Sequence, residues 1–172
     1  MIIETERLIL RKFTINDAEM MFDNWASDPE VTKFLTWNHH ANIEMTKMIL
    51  NMWIEAYNNP NTYRFGIVLK DSDELIGSID VVDYVDGCPE IGYCLSRKYW
   101  NNGYMSEAAT GLIKYLISIG FSRIVIEANE NNVGSNRVIE KCGFKFTHKE
   151  RKEHCSVFKP EPVVVNWYEL TK

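Results

Sequence analysis

Apolar side chains in the first part of the chain follow two different spacings. Residues 6–13 alternate in part, with Leu8 and Leu10 on one face, which predicts a strand. Between residues 41 and 57 the apolar side chains recur every three or four positions, which predicts a helix. Its stripe consists of Met45, Met48, Ile49, Met52, Trp53 and Ala56. We expect this stripe to pack in the core rather than to line a ligand site.

Shorter patterns fill the stretches around this helix. Two short helices are predicted before it, one capped by Thr14 or Asn16 and one opening at Asp28 with Pro29 in its first turn. After it, turn-forming residues separate three predicted strands, which are residues 62–69, 75–83 and 90–95. Two hairpin signals in succession favour an antiparallel meander.

The second half of the chain alternates between helical and strand patterns. The predicted elements are a helix over residues 106–119, a buried strand over 122–128, a helix over 133–142 and strands over 144–147 and 163–168. Gly120 and Gly143 are expected to end the two helices, and Asn131 or Asn132 to cap the second one. This order adds a βαβ unit to the meander. We therefore expect one mixed α/β domain over residues 1–172, of about seven strands.

Charge and composition exclude several functional classes. The 172 residues carry a net charge of −5, with 7 basic and 16 acidic side chains in residues 1–90 and 12 and 8 in residues 91–172. An acidic chain is a poor nucleic-acid binder, so we expect no nucleic-acid partner. No stretch approaches the ~18 apolar residues of a membrane span, and the N-terminus does not resemble a signal peptide. We expect a cytoplasmic protein with no membrane partner.

Metal binding is not expected from the cysteine and histidine positions. The four cysteines form no Cys-x-x-Cys pair, and the four histidines add no zinc-ligand spacing. The cysteines are expected to be free thiols, as in a reducing compartment.

Two segments of the second half could carry chemistry. Around Gly103, a strand passes into a helix, and free backbone N–H groups at a helix start can bind an anion such as a diphosphate. The segment matches neither common glycine-rich nucleotide motif, and an ordinary helix start is the alternative. Farther on, Asn132 and Ser135 are three residues apart and share one face of a helix start. They could contact a ligand between two strand ends, or Asn132 could simply cap the helix.

Together these segments resemble the GNAT superfamily of acetyl-CoA-dependent N-acetyltransferases, and most of all its RimJ/RimL type, which acetylates ribosomal-protein N-termini. The resemblance covers nearly the whole chain. It rests on Glu4-Thr5-Glu6-Arg7-Leu8-Ile9-Leu10-Arg11, Glu90-Ile91-Gly92-Tyr93, Tyr99-Trp100-Asn101-Asn102-Gly103-Tyr104-Met105-Ser106-Glu107-Ala108 and Asn132-x-x-Ser135-x-Arg137-Val138-x-Glu140-Lys141-x-Gly143-Phe144. It implies a single GNAT domain, α/β (α+β), with a mostly antiparallel mixed sheet and helices on both faces.

The resemblance also implies a site for acetyl-CoA as co-substrate. The family binds the CoA diphosphate through backbone amides, which here come from Asn101, Asn102, Gly103, Tyr104, Met105 and Ser106, centred on Gly103. Trp100, at the start of the same loop, is also assigned to the cofactor. In the wider superfamily pattern, the first outer position is Arg or Gln and the last is Gly or Ala. Here Trp100 stands at the first of these positions and Met105 at the last. The pantetheine arm implicates main-chain groups near Tyr93 to Leu95, which include Cys94 and Leu95. Asn132 matches the residue that bonds the pantetheine, and Arg137 is assigned to the cofactor by the same motif.

For catalysis, the resemblance implies direct acetyl transfer to a primary amine without a metal. Glu90 is the candidate base, directly or through water, although a solvent-facing strand end is the alternative. Ser135 is the candidate hydrogen-bond partner of the leaving thiolate. The Tyr that many members use as general acid corresponds to Ile139, so Tyr168 or Tyr93 could substitute.

The acceptor amine stays open at this stage. A protein N-terminal α-amine is preferred. An aminoglycoside-like, streptothricin-like or polyamine amine is the alternative, and a non-catalytic CoA-binding sensor is a third interpretation. Trp25, Trp37 and Trp53 leave room for a homodimer surface. The acidic first half suits a cationic amine, and the basic second half suits an anionic cofactor.

Overall fold

A computed structural model describes all 172 residues of the chain. Eight strands form one sheet in the order β1-β2-β3-β4-β5-β6-β8-β7. The strands are β1 (Ile2–Glu4), β2 (Leu8–Arg11), β3 (Arg64–Leu69), β4 (Leu75–Val85), β5 (Cys88–Leu95), β6 (Arg123–Asn129), β7 (Lys145–Lys152) and β8 (Val163–Thr171). All neighbours are antiparallel except β5 and β6, which are parallel.

The parallel pair is the irregular point of the sheet. β5 and β6 pair only at Glu90 and Val125. By contrast, β4 and β5 pair along almost their whole length. Both strands continue past their one pairing point without further pairing, so the sheet opens between their carboxyl ends. The site described below is built around this gap.

Helices cover both faces of the sheet, as predicted. They are α1 (Ala18–Met21), α2 (Pro29–Thr32), α3 (Ile43–Ala56), α4 (Tyr104–Ser118) and α5 (Val133–Lys141). A core cluster of 22 buried residues contains Leu112 and Leu116 of α4 and Ile139 of α5. A second cluster of 10 contains Met21, the buried Trp25 and Leu50 on the other face. No helix is long and apolar enough to cross a membrane.

The strand count and several strand boundaries differ from the prediction. β1 was missed because it has only three residues, and its place is set by pairing with β2 rather than by an apolar pattern. β7 extends to Lys152 although nearly all its side chains are exposed, because its backbone pairs with β8. β5 begins at Cys88, before the predicted start. An edge strand with no buried face leaves no alternation to detect.

The helical predictions were accurate in position and wrong in one detail of packing. α5 covers residues 133–141 and Asn132 caps it, while α4 starts at Tyr104, two residues before the predicted start. In α3 the buried side chains are Thr46 and Leu50, not the methionine stripe. The stripe residues Met45, Met48 and Met52 are 36%, 55% and 59% exposed. Ile49 and Trp53 of the same stripe are half-buried and pack against the second core cluster, so the helix is rotated such that one edge of the stripe, together with Thr46 and Leu50, faces the core.

Candidate active site

The loop before α4 offers a row of free backbone donors. Gly103 lies at φ +78° and caps the helix, and Asn101 lies at φ +62°. The first helical hydrogen bond runs from Glu107 to the Gly103 carbonyl, and none of the backbone N–H groups of residues 101–106 donates to a protein acceptor. Free N–H groups at the positive end of a helix dipole suit an anion. The residues present therefore fit a phosphate group of CoA.

Side chains hold this loop in place from two directions. The Trp100 indole Nε1 donates to the Leu95 carbonyl at 2.8 Å, which ties the loop to the end of β5. From the other side, Arg7 Nη1 donates to the Asn102 carbonyl at 3.1 Å. The Arg7 guanidinium also lies 4.2 Å from the centre of the Tyr104 ring. The loop conformation is thus fixed before any ligand binds.

Glu107 is the anchor of the Arg7 contact. Its carboxylate accepts from Thr5 Oγ1 at 2.6 Å, from the Arg7 backbone N–H at 2.7 Å and from Arg7 Nε at 2.7 Å. Burial raises the pKa of Glu107, but the hydrogen bonds from Thr5 and Arg7 outweigh burial and lower that pKa below its ordinary value. Sequence spacing could not reveal this contact, since the partners are about 100 residues apart.

A cleft of about 800 Å³ continues from the loop along α4. Its wall includes Gly103, Ser106, Thr110, Lys114 and Lys141. The two lysines are exposed and form no ion pair. Most residues that line the cleft are polar, and the cleft is large enough for the nucleotide part of a cofactor.

The gap between β5 and β6 exposes backbone groups of β5. The Ser96 N–H donates to the Ile76 carbonyl of β4. Every second residue before Ser96, which means Cys94 and Gly92, therefore also directs its backbone groups toward β4. By the alternation of antiparallel ladders, Tyr93 and Leu95 direct their backbone groups away from β4 and toward the gap. The Leu95 carbonyl already accepts from Trp100, which leaves its N–H free on this side. An extended ligand arm can pair with these groups as an added strand would.

Glu90 stands at the one point where β5 and β6 meet. It alternates along β5 with Cys94, which lies in the second core cluster, so its side chain faces the α1 and α3 side of the sheet. The carboxylate is half-buried and makes no hydrogen bond or ion pair in the protein. Burial, followed by the negative charge of Glu127, raises its pKa from 4.5 to about 7. A carboxylate with this pKa can accept a proton near neutral pH.

The other side of the sheet brings Ser135 to a tyrosine. Ser135 Oγ and Tyr93 Oη are 3.0 Å apart across the interval between β5 and α5. Burial raises the pKa of Tyr93 far above its ordinary value, although the hydrogen bond with Ser135 opposes this. Tyr93 is therefore a neutral hydroxyl donor at neutral pH. Glu90 and the Tyr93–Ser135 pair thus lie on opposite faces of the sheet, beside one gap.

Asn132 acts as a helix cap and keeps its donor free. Its Oδ1 accepts from the Ser135 backbone N–H at 3.2 Å, while its Nδ2 bonds no protein group. Both interpretations of this residue are therefore compatible with the structure. Asn136, which the sequence did not single out, joins α5 to β8 by accepting from Tyr168 Oη at 2.7 Å and from Asn166 at 2.9 Å. Tyr168 is thus committed to a structural contact.

The other residues assigned to the cofactor differ in what they leave available. The Cys94 main chain faces Ser78 of β4, so Tyr93 and Leu95 rather than Cys94 direct main-chain groups to the gap. The Met105 side chain is buried in the core, so only its backbone N–H is available. The Cys94 thiol is buried on the α1 and α3 side beside Ser78, and burial raises its pKa to about 11. Arg137 is exposed on α5 and makes no ion pair or hydrogen bond in the protein.

Comparison with known proteins assigns this arrangement to a family. Residues 7–145 match the family model described as acetyltransferase (GNAT) domain. The chain belongs to the GNAT acetyltransferase family. A protein of Bacillus licheniformis named uncharacterized N-acetyltransferase p20 is 35% identical over 148 residues, which are 82% of this chain and 80% of that protein. The chain is accordingly an acyltransferase, and the GNAT fold implied by the sequence is confirmed.

Two solved structures share the fold across nearly the whole chain. RimL, a ribosomal L7/L12 α-N-protein acetyltransferase solved with coenzyme A, superposes with a TM-score of 0.82 at 19% identity, covering 99% of this chain and 98% of that one. MccE, a microcin C7 self-immunity acetyltransferase solved with acetyl-CoA and AMP, gives 0.85 at 19% identity, covering 97% and 93%. At these identities the two structures show likeness of fold alone.

Proposed function

We propose that this GNAT protein transfers an acetyl group from acetyl-CoA directly to a primary amine, and that the amine is a protein N-terminus. The observation that carries the proposal is the gap between β5 and β6, which has free backbone donors at one side and the unpaired Glu90 carboxylate at its narrow end. RimL and MccE, which share the fold, were solved with coenzyme A and acetyl-CoA.

In this proposal the backbone of the chain binds most of the cofactor. The N–H groups of residues 101–106 hold the diphosphate, and the backbone of Tyr93 and Leu95 pairs with the pantetheine arm. The free Asn132 Nδ2 adds one donor from α5. Acetyl-CoA supplies the activated thioester that the amine attacks. The Leu95 N–H is placed to donate to an oxygen on which negative charge develops.

Groups on the two faces of the sheet accept a proton from the amine and stabilise the leaving group. Only a neutral amine is a nucleophile, so the acceptor ammonium must first lose a proton. Glu90 accepts that proton, directly or through water, because its raised pKa lies close to neutral pH. The Ser135 hydroxyl, held by Tyr93 at 3.0 Å, donates a hydrogen bond to the sulfur of the leaving CoA thiolate, which takes up the second proton that the nitrogen loses as the amide forms. A serine is too weak an acid to transfer a proton readily, so this contact is a hydrogen bond rather than a protonation.

A small cationic amine is the second candidate acceptor. Glu127 and Asp83 add negative charge around Glu90, which attracts a cation. The fold is also shared by MccE, whose name denotes a self-immunity acetyltransferase. Cytoplasmic location and a homodimer stay predictions that belong to this proposal, although Trp25, one of the three tryptophans expected near a dimer surface, is fully buried in the core.

A thiol-release assay tests both candidates. Purified protein is incubated with acetyl-CoA and one acceptor class at a time: peptides with free N-termini, polyamines and aminoglycosides. The expected result is release of CoA with N-terminal peptides, and N-acetylated peptides serve as matched controls that give none. Release with polyamines or aminoglycosides alone would support the second candidate. No release with any class, together with tight CoA binding, would support a non-catalytic sensor and overturn the proposal.

A further inference from the structure

An ion pair from distant strands lies on the same face as Glu90. Glu127 follows Val125 by two residues on β6, so it projects from the face on which Val125 meets Glu90. Its Oε2 accepts from Lys152 Nζ at 2.5 Å. Both side chains are mostly shielded from solvent, at 22% exposed for Glu127 and 30% for Lys152.

Lys152 reaches Glu127 across an intervening strand. It lies on β7, which β8 separates from β6 in the sheet order. Trp167 of β8 is the register partner of Glu127 and lies beneath the lysine, whose Nζ is 5.4 Å from the centre of the indole ring. The indole Nε1 donates to Glu150 at 2.7 Å, which fixes the ring. The lysine is therefore held in place by three strands.

We infer that Glu127 and Lys152 are positioning residues that set the charge around Glu90, so that Glu90 is a proton acceptor suited to neutral pH. The inference rests on the proposed transfer function, in which Glu90 is the base. Neither residue needs to touch the substrate. Lys152 opposes the effect of Glu127 on Glu90, and the effect of Glu127 is the larger of the two.

The charges facing Glu90 from each neighbouring strand can be enumerated. Asp83 of β4 is its register partner, Glu127 lies on β6 and Lys152 on β7. β8 contributes the Trp167 ring between the last two. Burial raises the pKa of Glu90 most, Glu127 raises it further, Lys152 lowers it and Asp83 raises it. Removing the lysine or the carboxylate should therefore move this pKa in opposite directions.

The test is a carboxyl titration of Glu90 by ¹³C NMR on the full chain, together with the pH profile of kcat/KM. Lys152→Met leaves Glu127 unpaired, and the pKa of Glu90 should rise by about one unit, as expected for a neighbouring charge in a half-buried site. Glu127→Gln should lower it by a comparable amount. The acid limb of kcat/KM should move with the NMR value in each variant.

Two further variants separate charge from structure. Lys152→Arg keeps the charge and should retain the wild-type titration. Lys149→Met breaks a matched ion pair from the same strand, Lys149 Nζ to Glu130 at 2.8 Å, and should leave Glu90 unchanged. An unshifted Glu90 titration in both Lys152→Met and Glu127→Gln would overturn the inference. An NMR shift as expected in a protein without transferase activity would uphold the inference and refute the proposed function instead.

Discussion

Replacing Glu90 with glutamine removes a half-buried carboxylate that has no hydrogen bond or ion pair in the protein. Glutamine has nearly the same shape, so the change tests the charge rather than the packing. Because the folded pKa of Glu90 is raised from 4.5 to about 7, the unfolded chain loses this proton at lower pH than the folded chain. As the pH rises from about 4.5 to about 7, the ionised carboxylate therefore lowers the free energy of unfolding step by step. Above pH 7 the whole of this loss remains.

The size of the effect follows from that difference in pKa. Each pKa unit corresponds to about 1.4 kcal/mol, so the full difference would be about 3 kcal/mol. Partial exposure of the side chain to solvent screens this, and about 1 to 2 kcal/mol is the expected gain for Glu90→Gln at pH 8. In a chain of this length such a gain raises Tm by roughly 4 °C. Most of the gain should be absent at pH 5.

Two measurements on the same variant check the reasoning. Thermal melts at pH 5 and pH 8 report stability. Glu161→Gln serves as control, because Glu161 is an exposed loop residue whose side chain makes no hydrogen bond or ion pair. Initial rates report activity: kcat/KM of the wild type should rise about tenfold from pH 6 to pH 8 as Glu90 ionises, while the variant should be ~10²-fold slower or worse. A variant that is no more stable than the wild type at pH 8 would refute the desolvated-carboxylate argument.

Three further substitutions have defined outcomes. Gly103→Ala forces a side chain into φ +78° and should weaken CoA binding about tenfold by calorimetry, while Gly134→Ala in α5 should not. Glu107→Gln should cost about 2 kcal/mol in urea unfolding at pH 7, and the cost should shrink as pH falls through the lowered pKa of this carboxyl, because the ion-pair stabilisation is lost there in the wild type. Tyr93→Phe frees the Ser135 hydroxyl and should lower kcat about tenfold with CoA affinity unchanged; a fall in CoA affinity alone would contradict this.

Much of the local structure could be predicted because it depends on neighbouring residues. Asn132 caps α5 through a backbone N–H three positions away, and Gly103 supplies a positive φ that other residues rarely adopt. The order of strands and helices after residue 100 likewise follows from periodicity within short windows. Exposure was harder to predict: the methionine stripe of α3 has helical spacing, yet which face of the helix meets the sheet depends on what packs against it.

The acidic first half and the basic second half of the sequence show the same limit of prediction from sequence alone. The first half was expected to surround the amine and the second the cofactor. In the structure, Glu127 of the second half lies near Glu90, and Arg7 of the first half holds the loop before α4. Net charge along a chain therefore does not map onto the two sides of the site, because β6 of the second half pairs beside Glu90 and α4 of the second half packs beside β1 and β2 of the first.

The sequence by itself determined the elements, the family resemblance and the residue types at the site. Only the tertiary structure decided that β5 and β6 separate after Glu90. It alone also decided that the Glu107 carboxylate accepts hydrogen bonds from Thr5 and Arg7. It also decided that Glu90 lies half-buried near Glu127, where its pKa rises. The reason is physical: caps and turns depend on backbone contacts within a few residues, whereas burial and charge depend on groups that the fold brings together from far along the chain.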